Sequence, residues 1–433
     1  MMNEKFLISG LNGAKKLSGE IPVKGSKNAV LPAMASALLF SNPISIENAP
    51  EIEDVKRMSE LLEHLGCRVQ IGPRRKITID SKKINTSELE KEISKRLRAS
   101  IILTGPVLAK TGKVFFPHPG GCVIGERPID IFLNGFRSMG AKVTQKKDRY
   151  IVKARGGRLT GARIFFKVPS VTATETFMMA GVLAQGQTVL ENVSLEPEVL
   201  ALGEFLKENG AKISGLGTTR IEIGGTKNLR AKKSFQTIPD RLETGCFLIL
   251  AAIAGRRIKI TNCNPEHVGV LIKMLADMGV KIRVGKNFIE VWNGGIRKNT
   301  KLKSTSIKTH EYPGFPTDLQ APMLVLLTQA KGESVVFETI FDGRLNYTDD
   351  LVKMGADITL WDAHRAAIRG PRKLHGRELA GPDIRAGLAF IIAAIIAKGK
   401  SVINNIYYVD RGYEKIEERL KKIGVDIKRV GEN

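Results

Sequence analysis

Six strongly apolar segments recur at regular distances along the 433-residue chain. Each is apolar around the whole helical circumference, which is typical of a helix that is buried on all sides. The predicted helices lie at residues 29–39, 101–108, 177–183, 247–254, 323–327 and 388–397. A short stretch rich in β-branched and aromatic residues follows each one and predicts a strand. These strands lie at residues 44–46, 114–116, 188–190, 258–260, 335–337 and 401–403.

A second, amphipathic helix follows each strand and ends at a glycine. In the first copy Val55, Met58, Leu62 and Leu65 mark one face, and in the last copy the pattern predicts a helical face from Tyr413 to Ile423. Glycine accepts the positive φ that ends a helix. The six glycines are Gly66, Gly140, Gly210, Gly279, Gly355 and Gly424, spaced 74, 70, 69, 76 and 69 residues apart. The sequence therefore predicts an α/β fold of six βαβαβ-type repeats in two groups of three, divided near the basic stretch 227–236.

Composition fits a large globular protein and adds few constraints. The length exceeds that of a usual single core, and 42% hydrophobic residues suffice to fill two. The first residues lack the apolar region of a secretory signal, and the longest apolar run, 386–397, is too short to span a membrane. We therefore expect a cytoplasmic protein without a membrane span. The net charge of +24 is dispersed, so we expect no nucleic-acid partner, and the oligomeric state stays open.

The four cysteines differ in their surroundings. Cys67, Cys246 and Cys263 adjoin apolar or strand-like segments, which favours a packing role. Cys122 lies in a loop rich in glycine and proline, five residues before Arg127, whose fixed charge favours a thiolate. The loop alone is compatible with a packed cysteine or a reactive one. The spacing of the cysteines does not fit a zinc cluster, and we expect neither a metal nor another cofactor.

Polar residues open all six buried helices. They are Lys27-Asn28, Arg98, Ser170-Val171, Asp240-Arg241, Thr317-Asp318 and Asp383-Ile384-Arg385. Asp and Ser are ordinary N-cap residues, but a cation at a helix N-terminus opposes the helix dipole. Lys27, Arg98 and Arg385 are therefore candidates for binding an anionic ligand such as a phosphate or carboxylate.

Three separated motifs resemble the UDP-N-acetylglucosamine 1-carboxyvinyltransferase family of enolpyruvyl transferases. They are the cysteine loop at 119–130, Gly25-Ser26-Lys27-Asn28-Ala29 and Val409-Asp410-Arg411-Gly412-Tyr413-Glu414, and the likeness extends over essentially the whole chain. The resemblance implies two inside-out α/β domains, one from residues 1–25 plus 237–433 and the other from residues 26–236. It also implies that substrates bind in the cleft between domains and that the cysteine loop closes over them.

The resemblance further implies the chemistry of the site. The substrates would be phosphoenolpyruvate and UDP-N-acetylglucosamine, with Cys122 as the proton donor and Asp318 as the base for the sugar hydroxyl. Fosfomycin, an epoxide mimic of phosphoenolpyruvate, would alkylate Cys122. The implied ligands of phosphoenolpyruvate are Lys27, Arg127 and Arg411, with Arg385 nearby, and Lys27 and Arg411 are also implied to be catalytic. The implied ligands of the nucleotide-sugar are Arg98, Arg127, Pro128, Ile129, Asp130, Ile131, Ser170, Val171 and Ile340. Asn28 would bind the sugar or the reacting carboxylate region, and Asp383 is a further implied substrate-binding residue.

Two residues depart from the family pattern. Phe132 stands where the family often has histidine, and Thr172 follows Ser170-Val171 where it commonly has glycine, which puts contacts to the nucleotide in doubt. Two alternatives remain: the sister enzyme 3-phosphoshikimate 1-carboxyvinyltransferase, and a non-catalytic paralogue that binds nucleotide-sugar. The sister enzyme lacks the loop cysteine, so Cys122 favours the nucleotide-sugar as substrate.

Overall fold

A computed structural model describes residues 4–118, 129–292 and 302–431. The described chain forms two compact units. The terminal unit comprises residues 4–24 and the described part of 239–431, and the central unit comprises residues 25–118 and 129–238. This division lies one and two residues from the predicted domain limits at 25/26 and 236/237.

Six apolar helices of the described chain are buried, as their uniform hydrophobicity predicts. They are Lys27–Ser36, Thr104–Thr111, Val171–Leu183, Arg241–Ala254, Gln320–Leu327 and Ile384–Ile396. Three 3₁₀ segments extend them: Ala37–Leu39, Arg98–Leu103 and Thr317–Leu319. Several helices begin earlier than predicted, because their first turns contain the polar opening residues that the apolar pattern leaves out.

The strands form six sheets in the described chain, three in each unit; five are mixed, and the three-stranded sheet of the central unit is antiparallel throughout. Five have four strands in one pattern: a parallel first pair, then two antiparallel neighbours. The strands are given in their order across each sheet. The three sheets of the terminal unit consist of Glu378–Ala380, Lys400–Asn404, Lys5–Ser9 and Asp426–Val430; of Leu17–Pro22, Gly255–Thr261, Phe288–Trp292 and Ile282–Val284; and of Ile307–Lys308, Gly332–Phe337, Arg365–Gly370 and Asp357–Leu360. The three sheets of the central unit consist of Phe235–Gln236, Ile44–Glu47, Lys76–Asp80 and Arg68–Gly72; of Lys113–Pro117, Arg149–Ala154 and Ala141–Gln145; and of Arg163–Phe165, Gln187–Glu191, Arg220–Gly224 and Lys212–Ser214.

In each repeat, a surface helix follows the strand that comes after the buried helix. These helices are Glu53–Leu65, Asp130–Ser138, Pro197–Glu208, Gly269–Asp277, Thr348–Lys353 and Ile416–Lys422, and two shorter ones are Lys91–Arg96 and Tyr407–Asp410. All six predicted stop glycines have positive φ, between 81° at Gly140 and 105° at Gly355. The predicted helical face from Tyr413 is wrong at its start, because Lys415 has φ 41° and the helix begins at Ile416.

Each unit has its own hydrophobic core, built around its three buried helices, which contact one another. The sheets pack outside these helices, and many strands bury alternate residues, as does the strand Lys400–Asn404. Within the described ranges, no helix combines the length and apolarity that crossing a membrane requires.

Candidate active site

The predicted site residues are divided between the two units. The central unit contains Lys27, Asn28, Arg98, Ile129, Asp130, Ile131, Ser170 and Val171, and the terminal unit contains Asp318, Ile340, Asp383, Arg385 and Arg411. Cys122, Arg127 and Pro128 lie outside the described residues.

In the terminal unit, two arginines hold the carboxylate of Asp318. This residue lies in the 3₁₀ segment Thr317–Leu319, where the fifth buried helix begins. Arg344 Nη2 donates to Oδ1 at 2.7 Å, and Arg385 Nη2 donates to Oδ2 at 2.9 Å. The side chains of Arg344 and Arg385 are 2% and 8% exposed, whereas that of Asp318 is 28% exposed. The carboxylate is therefore fixed from the protein side and still accessible to a ligand.

A buried tyrosine supports one of these arginines. Arg385 Nη1 donates to Tyr413 Oη at 2.8 Å, and that oxygen lies 3.7 Å from Cys246 Sγ. Burial raises the pKa of Tyr413 well above its ordinary value, so the phenol stays protonated at neutral pH. The planar guanidinium of Arg385 thus has a partner on each side, Asp318 and Tyr413, which fixes its orientation.

The second arginine is connected to Ile340. Arg344 Nε donates to Thr317 Oγ1 at 3.3 Å, and Thr317 Oγ1 donates to Glu338 Oε2 at 2.9 Å. The amide N–H of Ile340 donates to the other oxygen of Glu338 at 2.9 Å. One hydrogen-bonded chain therefore joins Ile340 to Asp318.

Asp383 and Ser170 act as N-caps. Asp383 Oδ1 accepts from the backbone amides of Arg385 and Ala386 at 2.7 and 3.2 Å, and Ser170 Oγ accepts from that of Ala173 at 3.3 Å. A contribution of either residue to ligand binding would come in addition to this capping role.

In the central unit, Lys27 is the first residue of the helix Lys27–Ser36 and is paired with an acid. Its Nζ lies 3.1 Å from Asp54 Oδ2, and the side chains are 14% and 3% exposed. Asn28 follows it in the same turn, and Arg98 opens the 3₁₀ segment of the second repeat. The buried carboxylate of Asp54 balances the unfavourable interaction of Lys27 with the helix dipole.

The ion pairs of the first and fifth repeats occupy equivalent positions with exchanged charges. Lys27 and Asp54 are 27 residues apart, and Asp318 and Arg344 are 26 residues apart. In both pairs one partner opens the buried helix, and the other lies seven residues after the strand that follows. In the sixth repeat the equivalent positions hold Arg385 and Arg411, which are both cations.

The segment after the cysteine loop packs into the core of the central unit. Ile129 is 8% exposed and precedes the helix Asp130–Ser138, whose first residue, Asp130, is exposed, while Ile131 is half-buried. Phe132 is 5% exposed, with its ring centroid 6.3 Å from that of Phe177. The residue at this position is therefore part of the core rather than a polar group available to a ligand. Thr172 lies in the first turn of the helix Val171–Leu183, and its carbonyl accepts from Thr176 Oγ1 at 2.7 Å.

Arg344, Asp54 and the contact of Tyr413 with Arg385 were not predicted from the sequence. A signal for the first two was present, because both lie at the position of Arg411 in their own repeats. The predicted packing role of three cysteines is confirmed. Burial raises the pKa of Cys67 and Cys246 to about 12 and that of Cys263 to about 11, which leaves all three as neutral thiols.

Comparison with known proteins identifies the family. The family model described as EPSP synthase (3-phosphoshikimate 1-carboxyvinyltransferase) matches residues 11–420. A protein of Koribacter versatilis named UDP-N-acetylglucosamine 1-carboxyvinyltransferase is 41% identical over 432 residues, which cover 99% of this chain and 97% of the relative. A protein of Caldanaerobacter subterraneus subsp. tengcongensis named UDP-N-acetylglucosamine 1-carboxyvinyltransferase 1 is 43% identical, with 99% and 100% covered.

Solved structures share the fold at lower identity. The enolpyruvyl transferase NikO from Streptomyces tendae superposes with a TM-score of 0.88 at 22% identity, covering 100% of both chains. EPSP synthase from Acinetobacter baumannii gives a TM-score of 0.73 at 19% identity, covering 99% of this chain and 100% of the other. The predicted two-domain α/β fold is thereby confirmed as the enolpyruvyl transferase fold. With curated relatives that are about 40% identical over nearly its whole length, the chain belongs to the UDP-N-acetylglucosamine 1-carboxyvinyltransferases, a family of enolpyruvyl transferases.

Proposed function

We propose that the protein transfers the enolpyruvyl group of phosphoenolpyruvate to the 3'-hydroxyl of UDP-N-acetylglucosamine and releases phosphate. This is the first committed step of peptidoglycan synthesis, a reaction of the cytoplasm. The observation that carries the proposal is the 41–43% identity to proteins of this activity over 99% of the chain. The carboxylate of Asp318, fixed by two arginines, is a group that can accept the proton of the sugar hydroxyl.

The proposed reaction consists of an addition and an elimination. In the addition, the sugar oxygen bonds to C2 of phosphoenolpyruvate, the hydroxyl proton goes to Asp318, and Cys122 delivers a proton to the CH₂ carbon. In the elimination, that carbon returns a proton to the thiolate of Cys122, and the C–O bond to phosphate breaks as phosphate leaves. Asp318 fits its role because its partly exposed carboxylate accepts hydrogen bonds from two buried arginines that fix its orientation.

The cations of the sixth repeat support binding of an anionic substrate. Arg385 and Arg411 occupy the two positions at which the first and fifth repeats have one anionic and one cationic side chain. Two cations at these positions would attract the phosphate or carboxylate of phosphoenolpyruvate. We assign the same function to Lys27 and Arg127, and we assign the nucleotide-sugar to Asn28, Arg98, Ser170, Val171 and Ile340.

Phosphate release tests the choice of substrate. We expect release from phosphoenolpyruvate with UDP-N-acetylglucosamine and background release with shikimate 3-phosphate. The opposite preference would establish the sister activity, and release with neither acceptor would favour the non-catalytic alternative.

The role of Asp318 is tested with Asp318→Asn. Asparagine keeps the shape of the side chain and one acceptor for the buried arginines, whereas alanine would leave both without their carboxylate partner. We expect turnover to fall by at least about a hundredfold, within the range of general-base catalysis, while nucleotide-sugar binding persists. Turnover near that of the wild type would remove Asp318 from the mechanism.

The role of Cys122 is tested with fosfomycin. We expect mass spectrometry to find the adduct on the peptide that contains Cys122, whereas the buried thiols of Cys67, Cys246 and Cys263 stay unmodified. An unmodified Cys122 would count against an activated thiol.

A further inference from the structure

Arg429 lies on the core-facing side of a strand, where a charge is unusual. In the strand Asp426–Val430, Ile427 is fully buried, and Arg429 lies two residues later on the same face. Arg429 pairs with Phe6 of the neighbouring strand, and its guanidinium lies 4.9 Å from the centroid of the Phe6 ring. A charged group in this position needs partners, because burial disfavours a charge that has none.

All five N–H donors of Arg429 have an acceptor. Nη1 and Nη2 donate to the two oxygens of Asp410 at 2.8 and 2.7 Å. Nε and Nη2 donate to the two oxygens of Glu417 at 2.7 and 3.2 Å, and Nη1 also donates to Glu4 at 2.9 Å. The hydrogen bonds with Asp410 raise the pKa of Arg429 further above its ordinary value, so its charge is permanent.

Asp410 and Glu417 enclose the segment 411–416. Asp410 ends the helix Tyr407–Asp410, and Arg411 follows it directly, while Glu417 belongs to the helix Ile416–Lys422. Within the segment, Lys415 has φ 41°, a backbone conformation that costs energy for a side chain of this kind and persists where surrounding contacts fix it. One guanidinium therefore fixes both ends of the turn that contains Arg411.

A second arginine holds the middle of the segment. Arg419 Nη1 donates to the carbonyl of Glu414 at 3.3 Å, and Arg419 Nη2 donates to Glu243 at 2.8 Å. This contact does not involve Asp410. Loss of the Arg429 contacts is therefore expected to loosen the part of the segment next to Arg411 without unfolding the unit.

We propose that Arg429 is a positioning residue for Arg411, and thereby for the anionic substrate that Arg411 binds; this role rests on the function proposed above. A lysine would keep the charge but has a single nitrogen, which cannot contact Asp410 and Glu417 in the forked geometry of the guanidinium. The arrangement thus depends on arginine at this position and not on positive charge alone.

The kinetic test compares Arg429→Lys with two controls. Arg365→Lys changes an exposed arginine that is paired with Asp362, and Glu4→Gln removes one partner of Arg429 while leaving Asp410 and Glu417 in place. For Arg429→Lys we expect KM for phosphoenolpyruvate to rise about tenfold, because displacement of Arg411 weakens its contact with that substrate. KM for the nucleotide-sugar should change less than about twofold. Both controls should resemble the wild type. An unchanged KM for phosphoenolpyruvate, or equal increases in both KM values, would overturn the proposal.

Hydrogen–deuterium exchange of the full-length protein tests the positioning without turnover. We expect the amides of residues 411–413 to exchange about tenfold faster in Arg429→Lys than in Glu4→Gln. These amides donate to the carbonyls of Tyr407 and Val409, which belong to the helix Tyr407–Asp410 that Arg429 fixes through Asp410. Equal exchange in the two variants would overturn the proposal. A wild type that releases no phosphate would refute the proposed function alone, and the exchange result would still decide whether Arg429 fixes the segment.

Discussion

Replacing Tyr413 with phenylalanine removes one oxygen from the terminal unit. Tyr413 is 1% exposed, and its hydroxyl accepts a hydrogen bond from the buried Arg385, which also donates to Asp318. Phenylalanine fills the same space apart from the oxygen. The variant therefore leaves one N–H of a buried cation without its acceptor and weakens one of the two supports of the Asp318 carboxylate.

The size of the effect follows from the charge of the donor. A hydrogen bond to a charged group contributes about 1.5–3 kcal/mol to stability, whereas a neutral pair contributes about 0.5–1.5 kcal/mol. Tyr347 provides the neutral comparison, because it is 4% exposed and its hydroxyl donates to the amide oxygen of Gln320 at 3.2 Å. For a unit of this size, each kcal/mol shifts the melting temperature by about 2–4 °C. We therefore expect a loss of about 3–12 °C for Tyr413→Phe and about half of that for Tyr347→Phe.

Calorimetry and phosphate release together test this reasoning. We expect kcat/KM of Tyr413→Phe to fall about tenfold through the loosened orientation of Asp318, and that of Tyr347→Phe to stay within about twofold of the wild type. A melting temperature of Tyr413→Phe equal to or above that of Tyr347→Phe would refute the assignment of a charge-assisted hydrogen bond. A normal rate in a destabilised Tyr413→Phe would show that the bond supports folding alone.

Two further predictions concern buried acids. Burial and the nearby Glu198 raise the pKa of Glu175 well above its ordinary value of 4.5. Above pH 4.5 the folded chain therefore retains a proton that the unfolded chain has lost. The contribution of Glu175 to stability consequently falls as pH rises. Glu175→Gln should therefore gain stability over the wild type from pH 5 upwards and match it near pH 4 in urea titrations; a difference independent of pH would contradict this. Arg419→Met leaves the buried Glu243 without its arginine and should cost about 3–5 kcal/mol in the same titrations, with part of the loss recovered in the double variant Arg419→Met/Glu243→Gln. A single variant as stable as the wild type would contradict the second prediction.

The repeat and its glycine turns could be predicted from sequence because both are local. Hydrophobic periodicity shows which helix is buried on all sides, and a glycine that ends a helix has few alternatives in φ. The pair Asp318–Arg344 could not be predicted in this way, because its partners are 26 residues apart and each has an ordinary local explanation, a helix start and a turn. The role of Tyr413 was hidden for the opposite reason: its apolar spacing fits a helix, yet the turn at Lys415 ends that pattern and places its hydroxyl on Arg385.

Comparing the repeats with one another shows how a single scaffold position acquires different roles. The two positions are the start of the buried helix and the residue seven positions after the strand that follows it. They are occupied by Lys27 and Asp54 in the first repeat and by Asp318 and Arg344 in the fifth. In each pair the residue at the helix start is the more exposed partner, so the first repeat presents a cation and the fifth presents a carboxylate, each held by a buried counter-charge. In the sixth repeat, where both positions are arginine, Arg385 satisfies part of its charge at Asp318 of the neighbouring repeat. Asp318, proposed as the base for the sugar hydroxyl, and the proposed cations Lys27, Arg385 and Arg411 therefore occupy one pair of positions in the repeat, whose charges differ from one repeat to the next.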